Sequence, residues 1–414
     1  MPQNLSTYDD ALKDFYGVGL KEATNNSNPV MTEATKNDQD IVGRQAIWSV
    51  HTGRSGSTSA RGEGGTLRAA DRQRFTDMRE DLSYLYHTIK VSGQAKHLTK
   101  NNEGAFARAL ETEIDGAEKD LKNDIARQVF GQKVTIDSAL RSGCIATLSS
   151  DPGTGTTLTM TGASAAEMRY FFIGQYVTVI NSSATVYGPY EVTAVSAANK
   201  TLTIGSAANA AIASGDFVFL SNTTVSTIAD TNYDNEINGL RHLINASDTF
   251  AGVTVASAPS WASRTAGSST TQISETLLDT AVEAVETDGD GSSPSLFIAE
   301  HSQRRKLAQQ MQAQKTYDGR EMTLTAGWRG LQVARGVLVT DRYCPTNDIF
   351  AITPKYLSRF VGLDWTWDDD DGKVLYKALD GTDAVEARFK TYMNLVTTVR
   401  NAHCRITVST PSFS

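Results

Sequence analysis

The chain has 414 residues, and its 39 Lys and Arg against 47 Asp and Glu give a formal charge of −8; 40% of it is hydrophobic and 21% charged. That length supports one large core or two to three modest ones, and the acidic balance argues against a chain whose overall field attracts nucleic acid, while allowing a wall that encloses it. Cys144, Cys344 and Cys404 are odd in number and far apart, which implies no disulfide framework and points to a reducing compartment.

The first residues, MPQNLSTYDDALKDF, are acidic where a signal peptide would be basic and then apolar, and no apolar run approaches about 18 residues. The expectation is neither secretion by the usual signal nor a membrane span. Residues 1–45 are polar, with one short amphipathic turn bearing Tyr8, Leu12, Phe15 and Tyr16. Such an arm gains order only on another surface, so Tyr8 and Phe15 are candidate contacts to a neighbour.

A strand signal at IWSVH is followed by TGRSGSTSARGEGGTLRAADRQRF, a polar, Gly-rich excursion of a length that compact domains seldom carry without a use. DLSYLYHTIKV then alternates again, and residues 46–92 read as a long hairpin leaving the body. Its outer part holds Arg54, Arg61, Arg68, Arg72, Arg74 and Arg79 among Glu63, Asp71, Asp77, Glu80 and Asp81, with no lysine. Guanidinium forks suit fixed, bidentate pairing with carboxylates, which makes Arg54, Arg61, Arg68, Arg72, Arg74, Arg79, Glu63, Asp71 and Asp77 candidate inter-subunit contacts. The interspersed acids argue against nucleic-acid contact. A merely solvated loop is the simpler alternative.

The spacing predicts a long helix over 101–130. Phe106, Leu110, Ile114, Ala117, Leu121, Ile125 and Val129 fall on one side, Asn101 or Asn102 can cap it, and Gly131 can stop it. It reads as a buttress across a sheet, and Gly116 inside it predicts a close contact or bend. Residues 135–143 read as a linker. Within 145–230, FFIGQYVTVI, GPYEVTAV, KTLTI and GDFVFL are short strands separated by turns, the pattern of a small inserted β-barrel.

Residues 231–360 alternate helix and strand. An amphipathic helix over 272–286, a buried strand at SPSLFIAE, a basic helix over 301–315 and strand signals around Gly336 and Pro345 argue α/β organisation. The closing EARFKTYMNLVTTVRNAHCRITV predicts one or two core strands of the sheet that the long helix buttresses.

No catalytic signature stands out. RGEGGT lacks the lysine and hydroxyl of a phosphate loop, the six histidines are dispersed, and DWTWDDDDGK fails the alternate-position spacing of a calcium loop and reads as a solvated turn. No metal, cofactor or catalytic residue is expected. Paired acids of a glycan hydrolase could still hide among 47 carboxylates, and the β-rich module could serve an attachment or decoration protein that binds glycan.

The order of parts resembles the major capsid proteins of tailed bacteriophages, the HK97-like family. The likeness rests on the polar arm, the excursion ending in LSYLYHTIKVSG, the helix beginning NNEGAFARALETEI, the lobe with PSLFIAEHSQRRKL and GLQVARGVLVTDRYCPTNDIFAITP, and the final core strand. The resemblance implies an α+β fold with an N-terminal arm (1–45), an extended β-hairpin loop (46–92), a peripheral domain with a spine helix (93–144 and 361–414), an inserted β-rich module (145–230) and an axial α/β domain (231–360). It further implies a non-enzymatic homo-oligomer of pentamers and hexamers in an icosahedral shell enclosing double-stranded DNA by weak, non-specific contact. Scaffolding and portal proteins, and a decoration protein, are the implied partners; there is no membrane, and assembly takes place in the bacterial cytoplasm. Some relatives join a loop lysine covalently to a neighbour's asparagine; here 51–89 contains no lysine, and Lys90 stands at the loop's base, so that crosslink is not expected.

Overall fold

The computed structural model describes residues 28–94, 103–161, 167–225, 227–288, 292–313, 321–323, 329–333, 335–369, 373–374, 376–377 and 382–412, with the side chains of 103–112, 312–313 and 321–330 left aside. Tyr8, Phe15 and the predicted caps Asn101 and Asn102 lie outside the described residues. The side chains of Phe106 and Leu110 do as well.

The described residues begin with a short helix, α1 (Pro29–Glu33), capped by Asn28, whose Oδ1 accepts from the Met31 amide at 2.8 Å. Strands β1 (Thr35–Asn37) and β2 (Ile41–Val42) lead into β3 (Gln45–Gly53), which turns through the polar excursion into β4 (Arg74–Asp81). β3 pairs antiparallel with β4, Trp48 opposite Met78. The sequence reading joined IWSVH to DLSYLYHTIKV instead. That second segment is β5 (Ser83–Ser92), which leaves the hairpin and pairs with a strand from the far end of the chain. One face of the hairpin, Trp48, Val50 and Met78, is buried in the body, with Trp48 stacked on Phe360 at 5.6 Å.

Helix α2 (Glu103–Gln128) follows. Ile114, Ala117, Leu121, Ile125 and Val129 are buried, as the 3.6-residue period requires, and the helix packs against β5. It runs unbroken through Gly116, where an added Cβ would meet nothing within 4 Å, so no close contact explains that glycine. The helix ends where Gly131 donates to the Gln128 carbonyl at 2.8 Å. Gly131 also lies against Gly239, where a Cβ would come within 2.2 Å of the Gly131 carbonyl oxygen. Two residues without side chains thus let the helix end touch the segment after the barrel, and Leu240 donates to the Val129 carbonyl at 2.7 Å.

Residues 135–143 are not a linker. β6 (Gln132–Ile136) and β7 (Ala139–Leu148) form a tight hairpin whose two turn residues, Asp137 and Ser138, both have positive φ. β8 (Thr157–Thr161), β9 (Tyr176–Ile180), β10 (Val186–Ser196), β11 (Thr201–Ile204) and β12 (Phe217–Leu220) continue the sheet in the order β12-β9-β10-β11-β8-β7-β6. Because β12 also pairs with β7, six strands close into a ring with β6 appended. Leu158, Met160, Val177, Val179, Val192, Leu202 and Val218 fill it.

Beyond the ring come α3 (Leu240–Leu243), β13 (Arg264–Gly267), α4 (Glu275–Asp288), β14 (Leu296–Ala299), α5 (His301–Ala313), β15 (Glu321–Thr323), β16 (Arg329–Val333), β17 (Gly336–Thr340) and β18 (Asp348–Ile352). The closing strands are β19 (Leu357–Trp367), β20 (Tyr376–Lys377), β21 (Ala384–Thr397) and β22 (Cys404–Thr407). They divide between two sheets. β21 lies between β5 and β19, whereas β22 crosses to lie between β13 and β18 in the order β13-β22-β18-β14-β17-β16-β15. The sequence reading had kept the whole closing segment with the sheet under α2. The chain changes sheet at a short turn, Arg400–Ala402.

The sheet containing β22 is buried on both faces with a period of two: Leu296, Ile298, Phe350 and Ile352 join the core with α2, while Phe297, Ala299, Ile349 and Ala351 pack with α4 and α5. Trp365 and Trp367, whose exposure the sequence left open, are buried against Phe389, the former stacked at 5.1 Å.

Candidate assembly interface

The outer part of the β3–β4 hairpin has no core of its own. Arg54, Arg61, Glu63, Arg68, Asp71, Arg72, Arg74, Asp77 and Arg79 are all exposed, and the apolar Leu67 and Phe75 stand out with 79% and 66% of their surface accessible. Among the described residues no ion pair joins any of these charged side chains.

What order the excursion has comes from short local bonds. Asp71 Oδ2 accepts from the Gly56 amide at 2.8 Å and its Oδ1 from the Arg72 amide at 2.9 Å, and these backbone donors hold its carboxyl below the usual range. Arg61 Nε donates to the Thr66 carbonyl at 2.8 Å. Ser49 donates to Asp77 at 2.7 Å and Gln45 to Asp81 at 2.8 Å, so the outward face of the stem satisfies itself across the strands. Asp71 and Asp77 therefore shape the hairpin, and the guanidinium groups of Arg54, Arg68, Arg72 and Arg74 are its outward charge.

A second exposed surface escaped the sequence reading. On β5 the side chains alternate: Ile89 is buried and Leu85 and His87 half-buried, while Tyr84, Tyr86, Thr88 and Lys90 face away. Burial pushes the His87 imidazole below its ordinary value despite Asp120 and Asp124 on α2. In register with the outward set lie Tyr392, Lys390, Arg388 and Glu386 of β21. Tyr84 meets Tyr392 edge-on at 4.8 Å, Arg388 lies 5.4 Å over Tyr376, and Lys390 binds Asp368 at 2.5 Å. Lys90, at the base of the loop, lies 3.7 Å from Glu386. Tyr and Arg on an uncovered sheet face are residue types enriched at protein contact surfaces. The alternation within LSYLYHTIK was the only signal for it; β21, its other half, lies about 300 residues away.

The body behind these surfaces is tied by buried charge. Arg127 near the end of α2 binds Glu236 at 2.5 Å and Asp124 at 2.7 Å. Arg241 bridges Glu167 at 2.7 Å and Asp348 at 2.8 Å, and Asp348 also takes Arg405 at 2.9 Å. Burial pushes the Asp348 carboxyl up, but Arg241 and Arg405 outweigh it and hold the group below the usual carboxylate range.

Among the described residues no helix is long and apolar enough to cross a membrane, and no cluster of three or more His, Cys, Asp or Glu has metal-binding geometry. The three cysteines are buried and unpaired.

Residues 216–410, from β12 to the end of β22, match the family model described as SU10 major capsid protein. No curated protein matches the chain. Among solved structures, the capsid asymmetric unit of cyanophage A-1(L) is similar with a TM-score of 0.52 at 10% identity, over 92% of this chain and 93% of that one. Gordonia phage Cozz (TM-score 0.42, 11% identity, 92% of this chain and 86% of that) and the capsid of an empty GTA particle (0.44, 9%, 92% and 90%) are more distant. Neither the attachment nor the glycan-hydrolase reading gains support. A major-capsid-protein family match over residues 216–410 and a capsid-subunit fold across 92% of the chain point the same way: the chain has the HK97-like fold of phage capsid subunits, and its stretch from β12 to β22 is similar to a phage major capsid protein.

Proposed function

We propose that the chain assembles as pentamers and hexamers into an icosahedral shell around phage double-stranded DNA, without catalytic activity, and that its Arg-rich hairpin completes itself on a neighbouring copy. The observation that carries this is the exposed excursion between β3 and β4. Its stem is anchored by Trp48, Val50 and Met78, while its outer arginines have no ion-pair partner among the described residues. A segment that pays ordering entropy without burying anything recovers that cost only at a partner surface. Many modest contacts repeated around a closed shell then give cooperative stability.

In this reading residues 1–45 form an arm with Tyr8 and Phe15 as contacts, 93–144 and 361–397 the peripheral part, 231–360 with β22 the axial part, and 145–230 an accessory module. A separate scaffold and a portal direct closure in the host cytoplasm, a decoration protein adds cement, and the net acidic wall touches DNA weakly and non-specifically. The test is imaging of the purified protein expressed with its scaffold and portal. Closed shells with capsomers of five and six are expected; a stable monomer under those conditions would overturn the proposal.

A further inference from the structure

The two helices that cover one face of the β22-containing sheet have opposite charge. Helix α4 carries Glu275, Asp279, Glu283, Glu286 and Asp288 and no Lys or Arg. Its apolar side, Leu278, Ala281, Val282 and Val285, is buried. Glu275, Asp279 and Glu283 follow at intervals of four, so they share the outward side, where like charges repel and weaken the helix that bears them. Arg335, at the turn between β16 and β17, binds Glu286 and feels Asp279 and Glu283 as well. Arg264 of β13 lies 3.4 Å from Asp288, so two guanidinium groups face five carboxylates and the helix stays net negative.

Helix α5 is the reverse. It carries Arg304, Arg305 and Lys306 and no Asp or Glu. Gln303, donating to the Thr346 and Ser409 carbonyls, and buried Leu307 fix its inner side. Its basic side chains have contacts within their own subunit, Lys306 with the Ser412 carbonyl among them. An engaged ammonium or guanidinium still adds its charge to the field of the helix. α4 lies against β13 and β22 at one edge of the sheet, and α5 against β17 in the other half.

We propose that the acidic face of α4 in one copy docks against the basic face of α5 in the next copy around a capsomer ring. This rests on the reading of the chain as a shell subunit grouped in rings. A rotation that closes a ring joins two different patches of one molecule head to tail, and patches of opposite sign satisfy that geometry where a like-signed pair would not. Complementary charge fixes the register and speeds encounter. A second copy is the occupant because this chain supplies both signs on one layer.

Charge exchange tests it. Asp279→Lys with Glu283→Lys, and separately Arg304→Glu with Arg305→Glu, are expected to lower shell yield about tenfold or more, with the circular dichroism of the free subunit still that of the folded parent. The four substitutions together are expected to restore most of the yield. Either double variant assembling like the unaltered chain, or the fourfold variant doing no better than the doubles, would overturn the pairing. If a reversed pair does not fold, Asp279→Asn with Glu283→Gln replaces it: assembly that is slower and no longer salt-sensitive supports the docking, and unaltered salt sensitivity rejects it. The unaltered chain run alongside separates the two readings. Shells without rescue sink only the helix pairing, whereas no shells sink the shell itself.

Discussion

The guanidinium of Arg400 lies 5.6 Å over the ring of Trp261 and is fully buried, with no carboxylate bound to it among the described residues. Its Nε donates to the Leu243 carbonyl at 2.9 Å, Nη1 to Asp248 at 2.7 Å and Nη2 to His242 at 3.0 Å, all backbone oxygens, and Phe250 offers a second ring at 5.5 Å. Burial lowers its pKa to about 10, which still leaves it charged at neutral pH. Arg400 stands where the chain passes from one sheet to the other, so this single side chain pins the crossing to the core.

Arg400→Met is therefore expected to destabilise the free subunit by about 3–5 kcal/mol, because three carbonyls, two of them buried, lose their donor together. Urea unfolding of unassembled protein measures it. A change below about 1 kcal/mol would show that water or a neighbouring donor replaces the guanidinium.

His403, next to that crossing, is wholly buried; its Nδ1 accepts from the Thr353 amide at 3.2 Å and its Nε2 lies 2.8 Å from Thr397 Oγ1. Burial pushes its pKa down from 6.5 to about 3. The unfolded chain then binds a proton that the folded one refuses, so stability is complete above pH 6.5 and falls as the pH drops towards 3, by about 1.4 kcal/mol per pH unit. His87 and His242, also lowered by burial, act in the same direction. Denaturation of the subunit at a series of pH values should show this slope, reduced by one proton's worth in His403→Gln. An identical slope in the variant would remove His403 from the account.

Asp348→Asn leaves Arg241 and Arg405 facing an amide in a site where the aspartate is 2% exposed. The expected loss is about 3–5 kcal/mol. The carboxyl is held below the usual range, so its contribution is present above its ordinary pKa and disappears as acid protonates it. The difference between variant and parent should accordingly shrink at low pH; a constant difference would mean that shape and not charge matters there.

Replacing Arg68, Arg72 and Arg74 together with alanine is expected to abolish or strongly reduce shell formation while leaving subunit unfolding within about 0.5 kcal/mol of the parent. Sedimentation of the assembly products, beside a melting curve of the free subunit, distinguishes the outcomes. Unchanged shell yield would reject a contact role for these arginines, and loss of soluble subunit would assign them to folding.

The elements that the sequence displays most openly are those with a strong period. The spacing of Ile114, Leu121 and Ile125 is a helix wherever it occurs, and β14 shows itself as an apolar run. The β6–β7 hairpin was hidden because its turn is Asp137–Ser138, a pair that takes positive φ less readily than Asn-Gly. The division of the closing segment was hidden for another reason: a charged residue in mid-run reads as surface, while Arg400 is buried by carbonyls that come from positions 242–248. The arginines of the hairpin were visible as composition. The Tyr84, Tyr86 and Tyr392 face was not, since it exists only once β5 and β21 are set in register.

The placement of β21 and β22 in the middle of their sheets bears on synthesis. A nascent chain leaving the ribosome presents β5 and β19 on one side, β13 and β18 on the other, as unmated edges until residues 384–407 emerge. Those edges are open to wrong partners, including other unfinished copies. Both sheets are complete only once residues 384–407 have been inserted, so the subunit's fold closes with almost the last of its strands.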